Sequence, residues 1–490
     1  MCRRLAVPAA SLALLAGCAV GPDYKAPGPA QLSVPARFNA AAADVVAADQ
    51  VDVARWWRSF GDPTLTALVE RGLAANLDIA QAGARLRQAR AGLRGARGAL
   101  FPSIGVSGSA SRTIGRESGS FVDASGRVIT TGGDQTRYQA GFDAAYEVDL
   151  FGGVRRSVEA ARANAQGAEA DLRSAQLTIA SEIALNYLDA RLAQVQLRVA
   201  RANLASLDET VQIVDWRVQA GLVGSLDLEQ ARQLRAQTAA NIPSLEAGYI
   251  TAVNRLAVLL GAPPGTVTAE VDAAAASDIP LAPPALSAAI PADVIRRRPD
   301  VTAAERTLAA ETARIGVETA QLYPALRLSG SFDGSGLSIG DVIDSAIGNI
   351  VASISAPIFQ GGQIRAAIEG QRASADAALA AYRQTVLTAL EDSENALVAV
   401  ATAERREREI LAADQAARNA VLLARTQYRA GLVDFQSLLE SERSLLSSQE
   451  NAVAARADRA TATVQLYKAL GGGWQAAPLP ATVTTSAMRP

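Results

Sequence analysis

Arg-Val-Gln-Ala-Gly-Leu-Val at 217–223 and Gln-Tyr-Arg-Ala-Gly-Leu-Val at 427–433 are one motif written twice, 210 residues apart. Leu-Leu-Gly at 259–261 and Ala-Leu-Gly at 469–471 keep that spacing. Upstream, Phe101-Pro102 before Ser107-Gly108-Ser109 is echoed by Tyr323-Pro324 before Ser329-Gly330-Ser331. Self-similarity at a fixed offset marks an internal duplication. Each copy reads helix, strand, strand, long helix, turn, helix. The first covers 62–261 and the second 292–474, joined by a Pro/Ala-rich linker at 262–291. The glycines of the two turns are Gly221 and Gly431.

The long helices carry the clearest period. Ala161, Ala165, Ala168, Leu172, Ala175 and Ile179 follow a 4-3-4-3-4 spacing, and Leu188, Leu192, Val195, Val199 and Ala202 resume it. Ala375, Ala378, Tyr382, Thr385 and Ala389 keep the same register in copy two. Such a stripe implies coiled-coil packing. From Val154 to Gln219 there is no proline, so about 66 residues at 1.5 Å rise span roughly 100 Å. A helix of that length needs neighbouring helices along its whole side.

The segments before these helices, hairpins at about 103–150 and 325–359, show period two instead. Tyr138, Ala140, Phe142, Ala144, Tyr146, Val148 and Leu150 alternate with Gln139, Gly141, Asp143, Ala145, Glu147 and Asp149, and Ile104, Val106 and Gly108 form a weaker match. Leu326, Leu328, Gly330 and Phe332, then Ile350, Ala352, Ile354, Ala356 and Ile358, do the same in copy two. About ten residues of apolar/polar alternation suit a transmembrane β-strand with lipid on one side and water on the other. An isolated strand of this kind also suits the edge of a soluble sandwich; the N-terminal signal described next and the acidic face decide for the membrane. Four such strands cannot close a barrel, which needs about eight, and open edges are not tolerated in lipid. The barrel must be shared between chains, which makes the protein a homo-oligomer.

Arg3 and Arg4 precede a short apolar run ending in Leu15-Ala16-Gly17-Cys18. This reads as a signal peptide over 1–17, too short to span a bilayer. The Leu-Ala-Gly-Cys ending resembles the bacterial lipobox, whose cysteine is acylated; the alternative is an ordinary cleavage near Ala16. An acylated Cys18 anchors the chain without a spanning helix, and Ala19 after it implies sorting to the outer membrane. Residues 18–61 form a lipid-anchored extended segment, and 475–490 a disordered tail. The chain has no histidine, and its only cysteines are Cys2 and Cys18. Histidine triads, HExxH sites, disulfide frameworks and cysteine metal sites are excluded. No cofactor, metal or enzymatic activity is expected. Lys+Arg 47 against Asp+Glu 49 leaves no basic footprint for nucleic acid. The chain is 49% hydrophobic but 4% aromatic, and much of the apolar share is alanine, which suits closely approaching helices.

Several segments together carry a resemblance. They are Cys18 with Gly21-Pro22-Asp23-Tyr24, Trp56-Trp57-Arg58-Ser59-Phe60 with Asp62-Pro63, Arg296-Arg297-Arg298-Pro299-Asp300, and Leu466-Tyr467-Lys468-Ala469-Leu470-Gly471-Gly472-Gly473-Trp474. They are similar to those of the TolC-like outer-membrane efflux proteins, specifically the NodT-type lipoproteins that serve RND pumps. The resemblance implies a mainly α fold with a β membrane part. Three chains would form a twelve-strand β-barrel continued by a twelve-helix α-barrel in the periplasm. It also implies a homotrimer anchored in outer-membrane lipid, with a periplasmic adaptor and an inner-membrane RND transporter as partners.

By position, the Ala-Gly-Leu-Val turns then become the periplasmic tip and its gate. Tyr428 resembles the tyrosine that tethers one helix pair, and Asp227 its acidic partner. The other reading makes Tyr428 stripe packing and Asp227 a carboxylate favoured by a helix N-terminus. Glu440 resembles the constriction carboxylate, flanked by Gln436 and Arg443; three copies would form a cation-attracting ring, against the alternative of a solvated glutamate. Val433 stands where the TolC branch carries an arginine, so part of that lock is missing. Two other functions fit the architecture less well: a type I secretion exit, disfavoured by the lipobox, and a non-pore coiled-coil lipoprotein, which would have no use for the strands.

Overall fold

A computed structural model describes residues 19–38, 53–115, 117–122, 128–132, 134–274, 278–282 and 291–474. The signal peptide, Cys18 and the tail expected at 475–490 lie outside the described residues. Copy one comprises α1 (Pro63–Ala75), α2 (Leu77–Gly98), β1 (Ser103–Thr113), β2 (Glu117–Val122), β3 (Val128–Gly132), β4 (Gln135–Val148), α3 (Gly153–Gln219) and α4 (Ser225–Leu259). The short α5 (Thr268–Ala273) follows. Copy two comprises α6 (Pro291–Arg297), α7 (Pro299–Ala320), β5 (Ala325–Gly336), α8 (Ile339–Asp344), β6 (Ile347–Ser355), α9 (Gln363–Arg429) and α10 (Phe435–Ala469). Both long helices have 67 residues and both return helices 35, so the duplication fixes element lengths as well as motifs.

The chain divides into two compact units, residues 1–26, 87–166 and 305–380, and residues 27–86, 167–304 and 381–490. The first contains the sheet β1-β4-β5-β6, antiparallel throughout. Its register places Ile104, Ala144, Gly330 and Ile350 in one row, and Val106, Phe142, Phe332 and Gly348 in the next. Directly opposed residues share a face, so the apolar positions of all four strands form one surface. Ile104, Val106, Phe142, Phe332, Ile350 and Ile354 are all exposed there. The other face carries Ser107, Gly141 and Ser331, then Glu147 paired with Arg327 at 3.2 Å. Within the chain, β1 and β6 each keep one unpaired edge. The hairpin β2–β3 adds two strands to the four that the sequence predicts; its residues lack the apolar alternation that marks the other four.

The core of the second unit is built around buried aromatic residues. Trp56 and Trp57 are fully buried among Leu65, Leu172, Ile183 and Tyr187, and Trp56 stacks on Tyr467 at 5.5 Å. Asp62 caps α1 by accepting from Leu65 N, and its other oxygen accepts from the Tyr187 hydroxyl at 2.7 Å. A cap and a core tyrosine thus share one carboxylate. The short helices of each copy break at matching joints. Asn76 accepts from Asp78 N and Ile79 N and donates to Leu259 O at 2.8 Å. Arg298, before Pro299, donates to Ala469 O at 3.2 Å and pairs with Asp300 and Asp392. Leu259 and Ala469 are equivalent residues, so each joint satisfies the carbonyl that ends its return helix.

The predicted stripe is buried at Ala165, Leu172, Ile179, Leu188 and Val195, and at Ala375, Tyr382 and Ala389. It fails at Ala202, which is exposed. A straight helix drifts against a seven-residue repeat, and burial passes instead to Leu207 and Val214.

Candidate gate at the paired helix turns

Both turns close by the same geometry. Leu222 N donates to Arg217 O and Gly221 N to Val218 O; Leu432 N donates to Gln427 O and Gly431 N to Tyr428 O, all at 2.8–3.0 Å. Gly221 has φ +70° and Gly431 +72°. This is the Schellman arrangement, in which a left-handed residue follows the helix and glycine adopts it without strain. The caps that follow differ. Asp434 accepts from Ser437 N at 2.9 Å, and the Ser437 side chain first, then this backbone bond, hold its carboxyl below the usual range. Gly224 begins α4 with no side-chain cap.

Above the turns one apolar cluster joins the copies. Leu207, Val214, Leu228, Ala231 and Leu234 come from copy one, and Ala424, Tyr428, Phe435, Leu438 and Leu439 from copy two. Tyr428 is buried at its centre, with Phe435 at 5.9 Å and the Arg217 guanidinium 4.4 Å above its ring. Arg217 also donates to Tyr428 O at 2.8 Å. The direct phenol–carboxylate bond to Asp227 is not made within the chain, because the Tyr428 hydroxyl is buried with no hydrogen-bond partner. Burial pushes that phenol above its ordinary pKa; Arg217 opposes the shift and the Asp227 charge adds to it. Asp227 itself lies in the first turn of α4.

Sequence reasoning missed the strongest polar contact between the copies. Glu442 is 2% exposed, and its Oε1 accepts from Thr210 Oγ1 at 2.8 Å and from Arg425 at 3.1 Å. Arg425 Nη2 also donates to Ser206 Oγ at 2.6 Å. Oε2 is buried and unsatisfied, and burial raises the carboxyl's pKa against the pull of Thr210 and Arg425. The signal was present: Phe435, Leu438, Leu439 and Glu442 follow helical spacing, which puts a carboxylate on an apolar stripe. Glu440, two residues earlier, points off that stripe and is exposed. Gln436 is exposed and donates to Gln230 at 2.6 Å. Arg443 borders a cleft of about 460 Å³ with Asn203, Asn241, Leu446 and Glu450. No acidic, histidine or cysteine cluster among the described residues could hold a metal.

Residues 68–262 and 290–472 match the family described as outer membrane efflux protein, once per copy. The chain belongs to the outer membrane efflux protein family. Nodulation protein T of Rhizobium leguminosarum bv. trifolii is 34% identical over 94% of this chain and 96% of its own length. The pyoverdine export outer membrane protein OpmQ of Pseudomonas aeruginosa is 33% identical over 94% and 95%. The outer-membrane channel OprN superposes with a TM-score of 0.84 at 36% identity, covering 94% of this chain and all of that one. This member of the family is accordingly an outer-membrane exit channel for efflux, mainly helical with a small sheet. Among the described residues no helix is long and apolar enough to cross a membrane, and the sheet presents one exposed apolar face.

Proposed function

We propose that the chain is one third of a trimeric exit duct for an RND-type tripartite pump. A periplasmic adaptor and an inner-membrane RND transporter would be its partners, and an acylated Cys18 its lipid anchor. The observation that carries this reading is the four-stranded sheet with one continuous apolar face and two unpaired edges. Unpaired N–H and C=O groups in hydrocarbon each cost several kcal/mol (roughly 2–7), so β1 of one chain has to pair with β6 of the next. Three chains give twelve strands, enough to enclose a water-filled channel. Transport energy comes from the partners, since the sequence carries no nucleotide-binding loop.

The paired turns form the periplasmic gate in this reading. Glu440, exposed beside the turn and flanked by Gln436 and Arg443, supplies a ring of three carboxylates on the trimer axis. Tyr428 and Asp227 couple the helix pairs electrostatically, with Arg217 over the Tyr428 ring. Native mass spectrometry of the detergent-extracted protein and planar-bilayer recording test the reading together. A mass of three chains with discrete conductance steps is the expected result. A monomer that conducts nothing would overturn it.

A further inference from the structure

We propose that residues 19–24 form a docked strap, clamped by Arg156, that holds the acylated N-terminus against the strand ends of the first unit. The inference rests on the reading of Cys18 as the lipid anchor. It goes beyond that reading by making the anchor a fixed part of the wall instead of a loose tether.

Arg156 lies in the first turn of α3, and its side chain is 6% exposed. Nε donates to Val20 O at 3.2 Å; Nη2 reaches Gly21 O at 3.4 Å and Asp23 Oδ1 at 2.6 Å; Nη1 pairs with Glu159 at 2.7 Å. Three of the four bonds made by a buried, permanently charged group therefore go to Val20, Gly21 and Asp23, within one short run near the N-terminus. Charge-assisted bonds of this kind are the strong ones, and a guanidinium at this burial needs them.

The slot beneath the strap is shaped for bare backbone. Gly21 has φ +93°, and a Cβ on it would lie 2.4 Å from Gly316 Cα. A Cβ on Gly316 would lie 2.7 Å from Arg156 Cγ and 2.9 Å from Val20 O. A Cβ on Gly152, at φ +80°, would lie 2.7 Å from Ala19 Cα. Val20 N donates to Phe151 O at 3.0 Å. At the far end the Tyr24 hydroxyl donates to Glu305 Oε1 at 3.1 Å, and its ring packs on Ala163, Ala309 and Ala310. Both ends and the middle of the strap are held.

The level at which it is held carries the functional point. Phe151 follows β4 and stacks on Tyr323, just before β5, with centroids 4.6 Å apart. Phe101 before β1 and Phe359 after β6 are exposed. Aromatic residues at strand ends mark the membrane–water interface of a barrel. Ala19 lies against Gly152 beside that girdle, and Cys18 is the next residue up the chain. Clamping the strap there would deliver the acyl chains at one depth and angle.

Lys25 makes the test direct, because trypsin cleaving after it releases residues 18–25 as one peptide. A docked strap exposes that bond to protease only by local opening. In outer membranes carrying the full chain, Asp23→Asn and Gly316→Val should release the peptide about tenfold faster than wild type or more. Asp23 is 78% exposed, so its substitution leaves the wall intact; Arg156→Gln should do the same more strongly. Equal rates in wild type and all three variants would overturn the clamp. The mass of the released peptide reports the acyl chains independently: an acylated peptide supports the anchor, and a peptide without them would overturn that reading while the rates still judge the docking.

Discussion

The two copies carry the same turn geometry but opposite charge logic. Asp215 and Arg425 occupy equivalent positions, as do Arg232 and Glu442, so the acid and the base have exchanged places between the repeats. In copy one the pair is loose: 3.8 Å apart, with side chains 36% and 52% exposed. In copy two it is 3.1 Å, with Glu442 3% and Arg425 30% exposed. Only the second pair recruits hydroxyls from the other copy, through Ser206 and Thr210. A buried pair is expensive to desolvate and strongly destabilising to break, whereas an exposed one is nearly neutral. Equal backbones therefore place the energetic leverage of the tip in copy two. In the proposed gate, that asymmetry would let one helix pair be held while the other is free to shift.

The sharpest way to break this comparison is to remove the base in each copy. Arg425→Leu strands a buried carboxylate and should cost about 3 kcal/mol; Arg232→Leu should cost below about 1 kcal/mol. Hydrogen exchange of the α9–α10 turn in the assembled protein reads both, and equal losses would remove the asymmetry. Acidity sharpens the same point. Glu442 is raised by burial, so the folded tip holds its proton more tightly than the unfolded chain does. Its stabilising share is complete in acid and is lost as pH rises through the raised value. Protection of the turn should therefore fall as pH rises from the ordinary carboxylate range, and Glu442→Gln should flatten that fall.

Where the copies are alike, substitutions should act alike. Gly221→Ala and Gly431→Ala each place a Cβ in the left-handed region, at about 1 kcal/mol apiece. Matching losses of thermal stability are expected. A cost confined to one copy would mean that the assembled tip no longer keeps both turns.

Much of this was legible beforehand, for identifiable reasons. The 210-residue offset of the Ala-Gly-Leu-Val turns located every long helix, because the Schellman geometry demands glycine and so preserves it in the text. Period two located three of the sheet strands clearly and β1 weakly, because a strand sends successive side chains to opposite faces. The hidden features depend on contacts between distant segments. Glu442 meets Thr210, more than two hundred residues away, and Arg156 meets Val20 and Asp23. No local pattern reports such partners, although a carboxylate on the stripe of Leu438 and Leu439 was a warning. The tether was read by position alone, and position does not say that Arg217 takes the place over the Tyr428 ring.

Smaller effects separate the remaining tip residues. Glu440→Gln removes an exposed charge and should leave stability unchanged while lowering cation selectivity. An unaltered reversal potential in a salt gradient would take Glu440 out of the aperture. Smallest of all should be Tyr428→Phe. The hydroxyl it deletes is buried without a partner, and deleting an unsatisfied polar group leaves nothing stranded. The ring stays in place against Phe435 and beneath Arg217, so the cation–π contact survives. Conductance and thermal stability should match wild type, whereas Arg217→Ala should change both. If Tyr428→Phe instead raises the resting conductance, the phenol bonds Asp227 in the working assembly, and the tip closes by a contact that the single chain does not make.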